Sequence, residues 1–250
     1  MRRLLIRPGA LGDFVVSLPA LEALGGEVWC AAVNVPLVRF ARARAISSTG
    51  LDLIELGLAS DIELRAFDEI FSWYGGTREQ FRQAVAHLPF RFFPALPAGQ
   101  PAHEFYAKQL NIPTLPPRLD IPRLNGPRYA VIHPYSGSPK KNWPIEHYMA
   151  LTTQLDIPVI WTCGPEETLP AHLPQRHFDN TWELATWLGN AAVYIGNDSG
   201  PTHLAAAAGA PTIAIFRDAS DPRIWAPPNA RVLIDPPVEQ ALAAVRELRR

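Results

Sequence analysis

The feature that most constrains this chain is one pattern met repeatedly along it. A short apolar run leads into a loop built on glycine with an acidic or hydroxyl residue, and a helical stretch follows. Residues 4–6 are apolar and end at Pro8-Gly9. Beyond Gly12-Asp13, the residues Phe14, Val15, Leu18, Leu21 and Leu24 recur at helical spacing until Gly25-Gly26 provides a stop. The same reading predicts strands at 28–33 and 69–73, and helices at 37–46, 77–88 and 103–110. A second series has strands at 129–133, 158–163, 193–195, 212–216 and 231–234, with helices at 144–155, 181–189, 202–208 and 238–249. Such alternation argues for parallel sheets flanked by helices, an α/β fold.

Between the two series, Pro113, Pro116, Pro117, Pro122 and Pro127 fall in a stretch with little periodicity, the composition of an interdomain linker. Two domains are therefore expected, 1–122 and 123–250, with a cleft between them as a natural place for a ligand. No internal sequence repeat relates the halves.

At 48% hydrophobic and 19% charged, the 250 residues can bury a sizeable core, which excludes a disordered chain. The 23 basic and 24 acidic residues leave a net charge of −1, so bulk electrostatics give no case for nucleic acid. The 26 prolines, about twice the usual share, are scattered and mark rigid loop entries. No apolar stretch reaches the ~20 residues of a membrane span, and Arg7 and Asp13 interrupt the N-terminal run before a signal core forms. A soluble cytoplasmic protein is expected. Cys30 and Cys163 each sit in an apolar run and read as buried strand residues, not as a disulfide framework or metal ligands. Among the cations, 20 are arginines and three are lysines (Lys108, Lys140 and Lys141), two of them adjacent.

Three loops carry residues suited to chemistry. In Arg7-Pro8-Gly9-Ala10-Leu11-Gly12-Asp13, the loop after a strand opens a helix, where α/β sheets place their ligands. Asp13 has two compatible readings, a helix N-cap or a carboxylate facing the ligand. The glycines do not fit G-x-G-x-x-G, so a dinucleotide fingerprint is absent. In Pro134-Tyr135-Ser136-Gly137-Ser138-Pro139-Lys140-Lys141-Asn142-Trp143-Pro144, small hydroxyl residues and lysines offer donors to phosphate oxygens, against the plainer reading of a solvated turn. It is not a Walker A loop.

The third loop, Gly196-Asn197-Asp198-Ser199-Gly200-Pro201-Thr202-His203, opens an Ala-rich helix whose N–H groups form an anion site. Asp198 there caps the helix or holds a sugar hydroxyl, and His203 faces the ligand or packs. Gly164-Pro165-Glu166-Glu167 reaches the same rim, its carboxylates suited to ribose hydroxyls or to stabilising a helix N-terminus. His172, His177 and Asp179 match no metal-ligand spacing and read as surface residues, so no metal site is expected. No G-x-S-x-G occurs, which disfavours a serine hydrolase.

These segments, in this order, resemble glycosyltransferase family 9, the ADP-heptose:lipopolysaccharide heptosyltransferases. The resemblance rests on Leu11-Gly12-Asp13 with Leu18-Pro19-Ala20-Leu21, on Pro139-Lys140-Lys141-Asn142-Trp143-Pro144, and on residues 196–206 followed by Gly209-Ala210-Pro211-Thr212. It implies a GT-B architecture, two Rossmann-like domains facing a cleft, with the acceptor on the first and the nucleotide sugar on the second. It further implies an inverting, metal-independent transfer without a cofactor. The donor would be ADP-heptose and the acceptor a glycan or glycolipid such as lipopolysaccharide core, with peripheral contact at the cytoplasmic face of the inner membrane.

By position, Asp13 beside Gly12 would be the general base. Lys141 and Lys140, with Ser136, Gly137 and Ser138, would hold the diphosphate. Asp198, with Ser199, Gly200, Thr202 and His203, would bind the donor sugar and phosphates, and Glu166 or Glu167 the ribose. An attacking hydroxyl needs a base and a departing diphosphate needs positive charge, so the set is chemically coherent. Two departures stand out: a short first half, and Phe216-Arg217 where the family has Phe-Gly. A nucleotide-sugar epimerase of GT-B fold and a non-catalytic nucleotide-sugar-binding protein are the alternatives.

Overall fold

The structure, a computed structural model, describes residues 1–126 and 128–249. Pro127, expected in the linker, lies outside the described residues, as does Arg250. The chain divides into two compact units, Met1–Leu115 and Pro116–Arg250. The division falls upstream of position 122 because the intervening residues are bound to the second unit. The Leu119 N–H donates to the Ala207 carbonyl, and Asn190 donates to the Pro122 carbonyl.

The first unit runs β1 (Arg3–Arg7), α1 (Leu11–Leu24), β2 (Glu27–Cys30), β3 (Ala43–Ala45), β4 (Glu69–Ser72), α2 (Glu79–Ala84), β5 (Phe90–Phe92) and α3 (Ala102–Gln109). Its five strands are all parallel, in the order β3-β2-β1-β4-β5. Central strands buried on both faces read as near-continuous apolar runs. Leu4, Leu5 and Ile6 of β1 are fully buried, and Leu4 and Ile6 share a core with Trp29, Ile70 and Phe81.

The second unit continues with β6 (Ala130–His133), α4 (Ile145–Thr152), β7 (Val159–Trp161), α5 (Thr181–Gly189), β8 (Val193–Asn197), α6 (Gly200–Ala207), β9 (Thr212–Phe216), α7 (Pro222–Trp225), β10 (Ala230–Ile234) and α8 (Val238–Leu248). Its strands, again five and parallel, run β10-β9-β8-β6-β7. Its core joins Ile132, Trp143, Tyr148, Trp161, Ile195 and Ile215. Cys30 lies in β2 and Cys163 just beyond β7, both buried and free.

Most predicted elements form, usually trimmed at the ends. The helix expected at 37–46 does not. A 3-10 turn spans Ala32–Leu37 with Pro36 inside it, and residues 43–45 become β3. The Ala and Arg residues favour helix locally, but β2 offers an open edge of N–H and C=O groups that β3 satisfies through Val28↔Ala43 and Cys30↔Ala45. The edge strand β5 and the four-residue α7 were not anticipated.

Candidate functional site

In an open parallel sheet, ligands collect at the carboxyl ends of the strands where the strand order reverses. In the first unit that point lies between β1 and β4, so the loop leaving β1 is the privileged one. Gly9 turns it with φ +123°, and α1 begins at Leu11 with Ala10 as N-cap. Asp13 is therefore not the cap that the sequence allowed. It sits in the first helical turn, behind buried Gly12, half-buried, where the helix dipole favours a carboxylate. Its backbone carbonyl accepts a hydrogen bond from Arg7 Nη2 at 2.8 Å.

In the second unit the order reverses between β6 and β8. The loops leaving those strands are residues 134–143 and 198–199, two of the three segments singled out from sequence. Lys141 ends a 3-10 turn, Pro139–Lys141, and its Nζ donates to Asp198 Oδ2 at 2.6 Å. His203 Nε2 stands 3.9 Å from Asp198 Oδ1. Burial opposes ionisation of Asp198, but His203, Lys141 and Ser220 outweigh it and hold the carboxyl down at about 2. A cation and a persistent carboxylate thus stand side by side at the N-terminal end of α6.

Asn197, fully buried at the end of β8, fixes these loops. Its Oδ1 accepts from the Trp143 N–H and the Tyr148 hydroxyl, each at 2.9 Å, and its Nδ2 donates to the Pro134 carbonyl at 2.7 Å. One side chain therefore ties the lysine loop to the strand that presents Asp198. Arg217 adds a second tie, donating to the Asn142 carbonyl at 3.1 Å and to Asp235 Oδ1 at 3.1 Å. Sequence reasoning missed Asn197, although an amide at the mouth of a buried strand was a signal for it.

The other candidates divide by what their side chains already do. Ser136 Oγ lies 2.8 Å from both the Ser138 carbonyl and Asn142 Oδ1, shaping the turn, while Gly137 and Lys140 are exposed. Ser199 is the N-cap of α6 but makes no side-chain cap, and Asp198 does not cap the helix either. Thr202 is buried, and its hydroxyl donates to the Asn197 carbonyl. Gly200 opens α6; Pro201 after it has no N–H and the Thr202 and His203 N–H groups donate to the Ser199 carbonyl, so the Gly200 N–H is what the first turn offers to a ligand. No helix follows Gly164, so Glu166 and Glu167 stabilise no helix N-terminus there. Glu167 Oε2 accepts from the Gly164 N–H at 2.6 Å and faces His133 Nε2 at 3.5 Å, whereas Glu166 is exposed. Burial pushes the His133 imidazole down, against the pull of Glu167. His172 and His177 are exposed, and among the described residues no group of three ligating side chains is positioned for a metal.

The model of glycosyltransferase family 9 (heptosyltransferase) matches residues 102–242, more than half of the chain and all of the second-unit site. The chain belongs to glycosyltransferase family 9. It is a glycosyltransferase, and its two parallel five-stranded units are of the GT-B kind. No curated protein sequence matches it. Among solved structures it is similar to the glycosyl transferase family 9 from Veillonella parvula, with TM-score 0.77 at 14% identity over 99% of this chain and 97% of that one. It is similar also to E. coli ADP-heptose lps heptosyltransferase II, with TM-score 0.77 at 18% identity over 100% and 98% of the two chains. E. coli heptosyltransferase WaaC with ADP gives 0.68 at 18% identity over 99% and 100%. At these identities the likeness concerns the fold. No described helix is long and apolar enough to cross a membrane.

Proposed function

We propose that this glycosyltransferase moves a heptose from ADP-heptose to a hydroxyl of a lipopolysaccharide-core acceptor, with inversion and without a metal. The second unit holds the donor, and the first holds the acceptor. The observation that carries the reading is the Lys141–Asp198 pair, 2.6 Å apart at the start of α6 and at the strand-order reversal. A diphosphate lodged there meets the Lys141 ammonium, the Gly200 N–H and the positive end of the α6 dipole. The names of the similar structures, one an ADP-heptose lps heptosyltransferase and one bound to ADP, support the choice of donor.

The transfer is a single displacement. The acceptor hydroxyl attacks the anomeric carbon, its proton passes to the Asp13 carboxylate, and the bond to the diphosphate breaks with ADP carrying off the electron pair. Lys141 and the Gly200 N–H at the start of α6 receive the negative charge that develops on the leaving oxygen. Lysine here supplies the charge that a divalent cation would otherwise provide, so activity should survive a chelator. Ser136, Gly137, Ser138 and Lys140 shape or flank the phosphate loop, while Ser199, Gly200, Thr202 and His203 build the α6 end of the site. Glu166 or Glu167 takes the ribose, on a loop that Glu167 itself closes. With a lipid-linked acceptor, the enzyme works at the cytoplasmic face of the inner membrane.

The test uses two substitutions in the full chain. Asp13→Asn should lower transfer by roughly 10²–10⁴-fold, the span of general-base catalysis, while ADP binding measured by calorimetry is unchanged. Lys141→Ala should weaken ADP binding. Wild-type transfer in Asp13→Asn, or wild-type ADP affinity in Lys141→Ala, would remove that residue from its role.

A further inference from the structure

Arg7, the last residue of β1, is 1% exposed. Its guanidinium touches only neutral acceptors. Nε donates to Ser17 Oγ at 3.2 Å, Nη1 to the Pro8 carbonyl, and Nη2 to both the Asp13 carbonyl at 2.8 Å and the Tyr106 hydroxyl at 2.7 Å. The group also lies 4.7 Å from the centroid of the Tyr106 ring. Burying a cation without a carboxylate in contact is costly, and burial indeed pushes the Arg7 pKa down. An apolar side chain would fill the volume at less cost. What only the planar fork provides is simultaneous contact with the loop after β1, the first two turns of α1, and α3.

One of those contacts holds Asp13 by its backbone carbonyl. A Cβ built on Gly9 would stand 3.1 Å from Arg7 Nη1 and 3.1 Å from Asp13 Cβ, so the two side chains crowd the same face of the loop. Buried Asn34 donates to the Gly9 carbonyl at 3.1 Å and fixes the loop from below. The Arg7 partners are themselves tied. The Ser17 hydroxyl donates to the Phe14 carbonyl at 2.8 Å, and the Tyr106 hydroxyl donates to the Ala95 carbonyl at 2.7 Å.

We infer that Arg7 is the positioning residue of Asp13: its guanidinium, braced by Ser17 and Tyr106, fixes the first turn of α1 and with it the place of the base carboxylate. The inference rests on the reading of Asp13 as the base. Arg7 touches no substrate and acts only through Asp13. Lysine in its place keeps a charge but cannot reach four acceptors in one plane.

A double-mutant cycle with Arg7→Lys, Asp13→Asn and their combination separates the possibilities, read as kcat, as ADP affinity by calorimetry and as melting temperature. Arg7→Lys should lower kcat roughly 10–100-fold, the penalty of a base displaced by about 1 Å, with ADP affinity unchanged. In the Asp13→Asn background the same change should alter the residual rate by less than about twofold. An equal loss in both backgrounds would show a purely structural Arg7 and overturn the inference. Wild-type kcat in Arg7→Lys beside an inactive Asp13→Asn would overturn it while sparing the base. Wild-type transfer in Asp13→Asn would instead sink the base reading itself. If Arg7→Lys fails to fold, Tyr106→Phe removes one hydroxyl from the brace and should lower kcat severalfold in the Asp13 background only, and no loss would count against the brace.

Discussion

At the scale of single residues, the ionisation of Asp198 dominates the electrostatics of the Lys141–Asp198–His203 cluster. Its folded carboxyl titrates at about 2, below the value of 3.8 usual for the group. The unfolded chain therefore binds a proton more readily than the folded one as pH falls. The stabilisation is complete above pH ~4 and is lost as pH drops through the folded value, and it amounts to about 2 kcal/mol. Thermal melts should show Asp198→Asn less stable than the parent by a constant margin from pH 7 to 5, with the gap narrowing between pH 4 and 2. A margin independent of pH would mean that the Lys141–Asp198 pair contributes nothing through charge. The residues of this pair were legible one by one, Lys141 from an adjacent lysine pair in a lysine-poor chain and Asp198 from a Gly-Asn-Asp-Ser-Gly loop. That they touch was not, because 57 positions separate them and only the packing of β6 against β8 closes that distance. Arg7 was hidden for the same reason, since its partner Tyr106 lies 99 positions away.

At the scale of elements, periodicity identified those whose patterns are long and lost those that neighbours impose. The nine-residue α5 was read to the residue, as its own sequence supports it. Asn180 caps it by accepting from the Trp182 and Glu183 N–H groups, and Ala185, Trp187 and Leu188 line its buried face. Strand β3 has only three residues and exists because β2 needs a partner, a cause no local window contains. Close packing of helices is equally invisible locally. Gly189 ends α5, and a Cβ there would stand 2.5 Å from the Ala208 carbonyl and collide with Ile121 Cδ1. Because one of those neighbours is backbone, it cannot give way cheaply. Gly189→Ala should therefore destabilise the protein by roughly 1–3 kcal/mol, an overpacking cost visible as a lower midpoint in urea. An unchanged midpoint would show that α5 and α6 can separate without penalty.

At the scale of the whole molecule, each unit has its own strand order, and each order reverses beside a loop that the motifs had marked. Alternation of strands and helices made the parallel sheets legible, but strand order depends on crossovers that composition does not record. The two orders have different consequences. In the second unit the reversal lies between β6 and β8, which brings together a lysine loop and a helix start, where we propose that the donor diphosphate binds. In the first it places the half-buried Asp13 in the first turn of α1, where the proposed function puts the acceptor hydroxyl. On that proposal, the anion-binding groups of a near-neutral chain lie in one unit. Ligand-induced stabilisation should follow that division. In a melting panel of ADP-, UDP-, GDP- and CDP-sugars, the ADP-sugar should raise the midpoint most, with stabilisation of about 2.7 kcal/mol once its concentration is a hundred times Kd. Hydrogen exchange with ADP bound should slow at residues 134–143 and 196–203. If another nucleotide gives the larger shift, the adenine assignment fails while the diphosphate site stands. If protection appears instead around residues 8–13, the donor belongs to the first unit, and the assignment of donor and acceptor to the two units is reversed.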